Sequence, residues 1–419
     1  MTENSMVRSN VRSWKSLGVP AFLFIEALLV FLISRGSQGL ISTFVMSTKR
    51  GGILIPAPDL VLPTHITLLV ISSLIALAGF WQLFKGFRKT NAIIIGAISL
   101  GLVAFLVWAT RDQSMNLTGM LISTLVRSTP IALAALSGIY SERSGVVNIG
   151  IEGMMLMGAL GAVVIAAVTK NMLVGVIGGM LFGMLLGWLH AVLSIKYRIN
   201  QIISGTGVII LALGLTSYLF RAVIDPNPAL SNPGPVIAAW PIPVLWKIPV
   251  VGPIFFTQSP IIYAMFILII VTHVLLYKTS WGLRIRAVGE HPRTADTLGI
   301  NVFTIRYVCV LISGAIAGLS GAYMSIGVAG RFNEGMTAGK GFLGLAAMIF
   351  GNWNPGTAYV GALIFGFFDS WQEKLTLLKV GIPGELLGMA PYIATMIILS
   401  GFIGRVRMPA ADGTPYEKQ

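Results

Sequence analysis

The chain reads as an all-α polytopic membrane protein, and three features of the sequence carry that reading. Of its 419 residues, 55% are hydrophobic and only 11% charged, and the mean hydropathy is +0.84. A soluble domain averages about 25% charged residues, so water cannot be the solvent for most of this chain. Apolar runs recur along its whole length, and lysines and arginines gather in the stretches between them. Lipid offers no partner to free backbone N–H and C=O groups, which forces the crossings into helices. At about 20 apolar residues per crossing, about ten to twelve transmembrane helices are expected, one of them short or re-entrant.

In chain order the runs are 20–45, 62–84, 91–109, 117–139, 145–168, 172–195, 203–221, 259–277, 304–328, 341–352, 356–372 and 386–404. Arg8, Arg12 and Lys15 precede the first run, and no small-residue cleavage site follows, so it reads as a retained span and not a signal peptide. That run is interrupted by SRGSQG at 34–39, and 341–352 is too short to span unless it is kinked or re-entrant. With the N-terminus inside, one side collects Lys85, Arg88, Lys89, Arg143, Lys196, Arg198, Lys278, Arg284, Arg286, Arg293, Arg306, Arg405, Arg407 and Lys418. The positive-inside rule then puts both termini in the cytoplasm, with Lys49 and Arg50 as exceptions. Fusing 117–139 with 145–168 would push the arginine-rich 278–306 stretch outside, so two crossings are kept. The proline-dense stretch 222–257 reads as an ordered extracytoplasmic cover or as a stiff connector.

Gly175, Gly179, Gly183 and Gly187 recur every fourth residue and bare one helix face; Gly314, Ala317, Gly318 and Gly321 form a second such face. Small residues let helices approach closely in lipid. Such strips serve close packing within a bundle or an interface between subunits.

Several function classes drop out. The net charge of +14 matches anionic headgroups and orientation in the bilayer, and no nucleic-acid-binding pattern accompanies it. Cys309 is the sole cysteine, so no intrachain disulfide or cysteine metal cluster is expected, and the four histidines are scattered. GMTAGKG (335–341) is one residue too short between its glycines for a P-loop and ends on Gly341 where Ser or Thr is needed. No catalytic triad, metal motif or paired-carboxylate arrangement appears. The chain reads as no enzyme, with no metal and no cofactor of its own.

If such a bundle is a transporter, its driving force must come from ions or from a partner. The ionisable residues inside runs, Glu26, Arg127, Glu152 and Asp369, are few and dispersed for a proton or sodium relay. The stretch KTSWGLRIRAVGEHPRTADTLGINVFTIR (278–306) is the stronger clue. Pro292 can open a short helix and Gly299 can close it, which suits docking into a groove on another protein.

Here the residues resemble a known family. RTADTLG (293–299) fits the spacing of the EAA---G loop of permease subunits of ATP-binding-cassette importers. Arg293 and Thr294 replace its glutamate and first alanine; Ala295 and Gly299 match. RAVGEHPRTADTLGI (286–300) resembles the form used by the branch that includes ribose, branched-chain amino acid and nucleoside permeases. ALSGIYSERSGVVNIGIEGMMLMGA (135–159) is similar to its nucleoside and simple-sugar members, and GKGFLGLAAMIFGNWNPGTAYVGALIFGF (339–367) resembles their C-terminal signature.

The resemblance implies an N-terminal transmembrane extension over 1–114, a permease core over 115–404 and a cytoplasmic tail over 405–419. It implies a multi-pass protein of the prokaryotic inner (cell) membrane, working with an ABC ATPase that binds the ATP, a second permease (a heterodimer is favoured) and an extracytoplasmic substrate-binding protein. Arg286, Gly289, Pro292, Ala295 and Gly299 become the ATPase-coupling loop. The expected cargo is a nucleoside, with a simple sugar as the alternative; an ion-coupled carrier is the rival class. The break at Ser144-Gly145 would expose backbone within the membrane, with Asn148, Gly150, Glu152 and Gly153 along the translocation path and Arg143 as the partner of Glu152. The bland reading makes 141–148 a tight turn and Glu152 a helix-cap acid.

Overall fold

The computed structural model describes residues 17–50, 53–87, 90–378, 386, 388–389, 392 and 407–418. The run 386–404 and the charges Arg8, Arg12, Lys15, Arg88, Lys89 and Arg405 therefore lie outside the described residues, four positions within that run excepted. The chain divides into two compact units. One holds Met1–Met120, Lys247–Val250 and Trp371–Leu387; the other holds Leu121–Trp246, Val251–Ser370 and Gly388–Gln419.

In the first unit the expected run 20–45 splits. Helix α1 (Val19–Arg35) ends where the Ser34 and Ser37 hydroxyls donate back to the carbonyls of Phe31 (2.7 Å) and Ile33 (3.2 Å). Side-chain bonds of this kind compete with the helical ladder. Beyond Gly39 the β-branched and aromatic residues of ISTFV form strand β1 (Ile41–Val45) instead of prolonging the span. A hairpin of β2 (Thr48–Arg50) and β3 (Ile53–Ile55) follows. Then β4 (Leu60–Pro63) pairs antiparallel with β1, and β5 (Ser114–Asn116) pairs parallel with it. Helices α2 (Thr64–Phe84) and α3 (Thr90–Ala109) complete the unit. The Ser72 hydroxyl donates to the Ala27 carbonyl (2.8 Å), tying α2 to α1.

The second unit is built on α4 (Leu117–Arg143), α5 (Ile151–Thr169), α6 (Met172–Ala191), α7 (Gln201–Leu219), α8 (Pro260–Lys278), α9 (Ser280–Glu290), α10 (Pro292–Thr297), α11 (Val302–Ala322), α12 (Lys340–Phe350) and α13 (Pro355–Leu377). Asn171, Asn200 and Asn301 cap α6, α7 and α11 by accepting first-turn amides. Among the described residues eight helices are long and apolar enough to cross a membrane: α2 through α8, and α11. Helix α12 is half that length, as the short run 341–352 predicts. The 117–139 and 145–168 runs are two separate helices, α4 and α5.

The glycine strip of α6 is spent inside this unit. A methyl on Gly175 would sit 2.6 Å from the Ala166 side chain, and one on Gly179 would sit 2.8 Å from the Gly158 carbonyl. Gly183 lies against the Gly314 carbonyl and Gly318, and Gly187 lies 3.0 Å by the same measure from the Val310 carbonyl. Helices α5, α6 and α11 thus meet backbone to backbone, which gains dispersion contacts where lipid supplies no hydrophobic drive.

The proline-dense loop is ordered. Trp240–Pro241 pairs with Thr257–Gln258, and the Ile237 amide donates to the Ile326 carbonyl (3.2 Å), beyond the end of α11.

Candidate functional site

The segment between α4 and α5 does not turn on the surface. The Ser137 hydroxyl in α4 donates to the Ser313 carbonyl of α11 (2.8 Å), and the Asn148 amide donates to the Ser313 hydroxyl (3.0 Å). Asn148 has therefore returned to the level of Ser137, six residues or about 9 Å back from the end of α4. Residues 144–150 re-enter the bundle with no helix of their own.

Buried backbone must find partners; the Ser144, Gly145 and Val146 amides close on the Ser141 and Glu142 carbonyls of α4, and beyond them the partners come from side chains on two other elements and from Ser141. The Val147 amide donates to Gln201 Oε1 (2.6 Å). The Val147 carbonyl faces His190 Nε2 (3.0 Å), whose Nδ1 faces the Ser204 hydroxyl (3.0 Å). A carbonyl only accepts, so Nε2 carries the proton and Nδ1 accepts from Ser204. The Ser141 hydroxyl donates to the Val146 carbonyl (2.6 Å). Gly150 and Gly153 let α7 close in: a methyl on Gly153 would lie 2.9 Å from the Val208 carbonyl. Asn148 is fully buried and its Oδ1 has no partner among the described residues.

Glu152 is 7% exposed, and both its oxygens are engaged. Oε1 accepts from the Gly339 amide (2.8 Å) and Oε2 from the Gly341 amide (2.6 Å). The carboxylate thus caps the N-terminus of α12 from a different helix. Gly339, the residue before that helix, sits at φ +80°, which a side chain would strain.

Arg143 is not its partner, contrary to the expectation from sequence. Its guanidinium donates to the carbonyls of Asn352 (3.1 Å) and Trp353 (3.2 Å) and to the Tyr277 hydroxyl (3.3 Å), just past the C-terminus of α12. The Trp353 indole N–H in turn donates to Glu142 (2.7 Å). An anion at the N-terminus and a cation at the C-terminus complement the helix dipole. The short helix is gripped at both ends by residues flanking the 144–150 break.

Three further charges join Glu152. Lys340, the first residue of α12, lies 3.2 Å from Asp369 in α13, and Asp369 lies 3.1 Å from Arg127 in α4. Their side chains are 21%, 25% and 34% exposed. Of the ionisable residues that look dispersed in sequence, Arg127 and Asp369 are linked to each other and to Lys340, Glu152 binds the amides on either side of Lys340, and Glu26 stands apart. Glu26 belongs to the first unit, beside Gly101. Close by, Pro130 lacks the amide that would bond Val126, and the Tyr323 hydroxyl takes that carbonyl instead (3.1 Å).

The loop that the sequence marks for docking forms α9 and α10. Pro292 takes the first turn of α10, and Gly299 ends it at φ +78°, with its amide donating to the Asp296 carbonyl (2.9 Å) and the Ile300 amide to the Ala295 carbonyl (3.0 Å). Ala295 is buried. The Arg286 guanidinium lies over the Tyr277 ring at 5.2 Å. Gly289 presses on the Arg143 carbonyl, so the loop bears directly on the end of α4.

Residues 120–400 match the family model described as "Branched-chain amino acid transport system / permease component". The nucleoside ABC transporter permease protein NupC of Lactococcus lactis is 40% identical over 70% of this chain and 95% of its own length. The guanosine ABC transporter permease protein NupQ of Bacillus subtilis is 41% identical over 71% and 95%. A putative glucose ABC transporter permease protein, TsgC13 of Haloferax volcanii, is 34% identical over 67% and 91%. Each of these organisms also holds a second, more distant match at 25–27% identity: NupB, NupP and TsgB13. No solved structure matches. The chain belongs to the branched-chain amino acid transport system permease family, and it is a transport protein, not an enzyme.

Proposed function

We propose that this chain is the membrane-spanning permease subunit of an ATP-driven nucleoside importer in a prokaryotic inner membrane. The observation that carries the reading is the α12 helix held at both ends by the flanks of the 144–150 break, with the docking loop leaning on the same flank at Arg143. A push on α10 has a continuous packed route through Gly289 and Arg143 to α12 and its charged neighbours. Ionisable groups within crossings are costly and mark pathways. In this reading Glu152, Lys340, Asp369 and Arg127 form one wall of the translocation path, and Asn148, Gly150 and Gly153 set its shape. The balanced charges suit a neutral, hydroxyl-rich cargo, which they meet by hydrogen bonds.

The side bearing residues 280–301 and 407–418 is the cytoplasmic one, where an ABC ATPase binds the nucleotide. A substrate-binding protein delivers cargo at the other face, and a second, different permease completes the pair. Support for the pair comes from the relatives, where a close and a distant match share each organism. A simple sugar is the second reading, favoured by the similarity to a protein named for glucose.

The test is uptake of labelled nucleoside into vesicles carrying the assembled transporter. ATP-dependent accumulation that survives an uncoupler is expected. Accumulation that collapses with the uncoupler at constant ATP overturns the importer reading in favour of an ion-coupled carrier.

A further inference from the structure

The C-terminal tail looks like a plain polar extension in sequence: RMPAADGTPYEK over 407–418. In the structure it is an inlaid strap. Ala411 and Tyr416 are 7% and 6% exposed, and Asp412 is 6% exposed. A compact turn shapes the strap: the Asp412 amide donates to the Pro409 carbonyl (3.1 Å) and the Thr414 amide to the Ala411 carbonyl (3.2 Å).

One edge of the strap holds the docking loop. The Ala411 amide donates to the Gly289 carbonyl (2.9 Å), and the Ala410 amide donates to Glu290 (3.2 Å). Lys418 lies 3.8 Å from Asp296. Thr414, Pro415, Tyr416 and Glu417 share a polar groove of about 510 Å³ with His291 and the first three residues of α10.

The other edge meets the break. A methyl on Gly145 would lie 3.2 Å from the Ala411 carbonyl, and one on Gly413 would lie 3.5 Å from Val147. Arg306, buried at the base of α11, donates to the Thr414 carbonyl (3.1 Å). The Tyr416 ring packs at a tilt against Phe303, with centroids 5.4 Å apart. Asp412 faces Glu142 and Arg306, and its burial pushes the carboxyl up to about 7.

We infer that residues 409–418 are a working part of the coupling machinery, a strap that carries movement of the α10 loop to the 144–150 break. Three of its features have no use in an inert tail: burial of an acid, contact with both moving parts, and continuity through a turn only a few residues long. Tyr416 and Asp412 are positioning residues, since they touch neither nucleotide nor cargo. The inference rests on the importer reading given above.

The experiment uses the complete transporter, with ATPase, second permease and binding protein, in proteoliposomes. Cargo moved per ATP hydrolysed is measured at equal permease-to-ATPase stoichiometry, for the parent, for a truncation after Pro409, and for Tyr416→Ala and Tyr416→Phe. The truncation and Tyr416→Ala are expected to lower cargo per ATP at least fivefold, with assembly within twofold of the parent. Tyr416→Phe, which keeps the ring on Phe303, is expected to stay within twofold on both measures. An ATP-dependent parent with unchanged ratios in the truncated chain sinks the inference alone. So does a Tyr416→Ala loss that only tracks lost assembly. A parent that moves cargo without nucleotide sinks the importer reading and the inference together.

Discussion

Replacing Glu152 tests the grip on α12 most directly. Its two oxygens satisfy the Gly339 and Gly341 amides, and the second of these bonds is buried. Glu152→Ala leaves both donors without acceptors. Each orphaned buried amide costs about 1–3 kcal/mol. Loss of an anion at a partly buried helix N-terminus adds up to roughly 2 kcal/mol. The terms overlap, so a total of about 3–6 kcal/mol is expected. Glu152→Gln keeps one carbonyl oxygen but turns an NH₂ toward the other amide, and about half that loss should follow.

The assay is the thermal midpoint of the detergent-solubilised protein, read beside uptake per assembled complex. Alanine should lower the midpoint most, glutamine less, and uptake should fall in the same order. A Glu152→Ala protein that melts with the parent refutes the reasoning. If such a protein still failed to transport, the carboxylate would be acting on cargo and not on α12.

Four other perturbations follow from named contacts. Gly299→Val should uncouple ATPase activity from transport with insertion intact, because φ +78° costs a β-branched residue about 1–3 kcal/mol; Gly299→Asn should retain more activity, and equal loss in both would count against the backbone explanation. Gly183→Val forces a side chain into the Gly314 carbonyl, so assembled protein in the membrane should fall severalfold by immunoblot, while unchanged abundance would contradict the close packing. Asp369→Asn strips Arg127 and Lys340 of their shared anion and should lower uptake per assembled complex more than abundance; equal losses would assign the cluster to stability only. For Asp412, the pKa rises from its ordinary 3.8 to about 7 through burial, facing Glu142 and Arg306. The folded state then binds the proton more tightly, so tail docking is strongest below about pH 4 and weakens as pH rises through about 7. At 1.36 kcal/mol per pH unit the change is roughly 4 kcal/mol at most. Amide protection factors over residues 410–414 and 416, with the base-catalysed intrinsic rate divided out at each pH, should be higher at pH 6 than at pH 8, and Asp412→Asn should flatten that difference; a parent whose protection factors do not change with pH would refute it.

Much of this architecture was legible in the sequence, and the failures share a cause. Lipid leaves a chain little choice but helices, so apolar runs mark most crossings well. Pro292 and Gly299 bracket α10 because each acts on its own backbone. The run 20–45 misleads because hydropathy cannot separate a span from a strand; the decisive signals, Ser34, Ser37 and the β-branched Ile41–Val45, are local but weak. Arg143 looked like the partner of Glu152 because it lies nine positions away. The true partners are amides 187 and 189 positions distant, and a backbone N–H has no signature in sequence. Arg127 and Asp369 were visible singly and Lys340 was passed over, and only the packing of α4, α12 and α13 makes them one group. A half-length apolar helix opening on Gly-Lys-Gly was the signal that could have found it.

If the proposed coupling holds, the break is where the bundle yields most readily. Along a continuous helix, displacement must strain or rupture a ladder of backbone bonds. Residues 144–150 have no continuous ladder: the amides of 144–146 close on the Ser141 and Glu142 carbonyls, Gln201, His190 and Ser141 hold the Val146 carbonyl and the Val147 backbone, and Ser313 holds the Asn148 side chain. Each such bond is worth about 0.5–1.5 kcal/mol net and can be exchanged singly for water or a neighbouring hydroxyl. The glycine-packed core of α5, α6 and α11 has no such freedom, since its backbones touch. A bundle with one rigid seam and one loosely pinned crossing concentrates any push from α10 at the crossing. Under the proposed function, the charged residues beside α12 would shift with the flanks that grip it, while the seam would stay put.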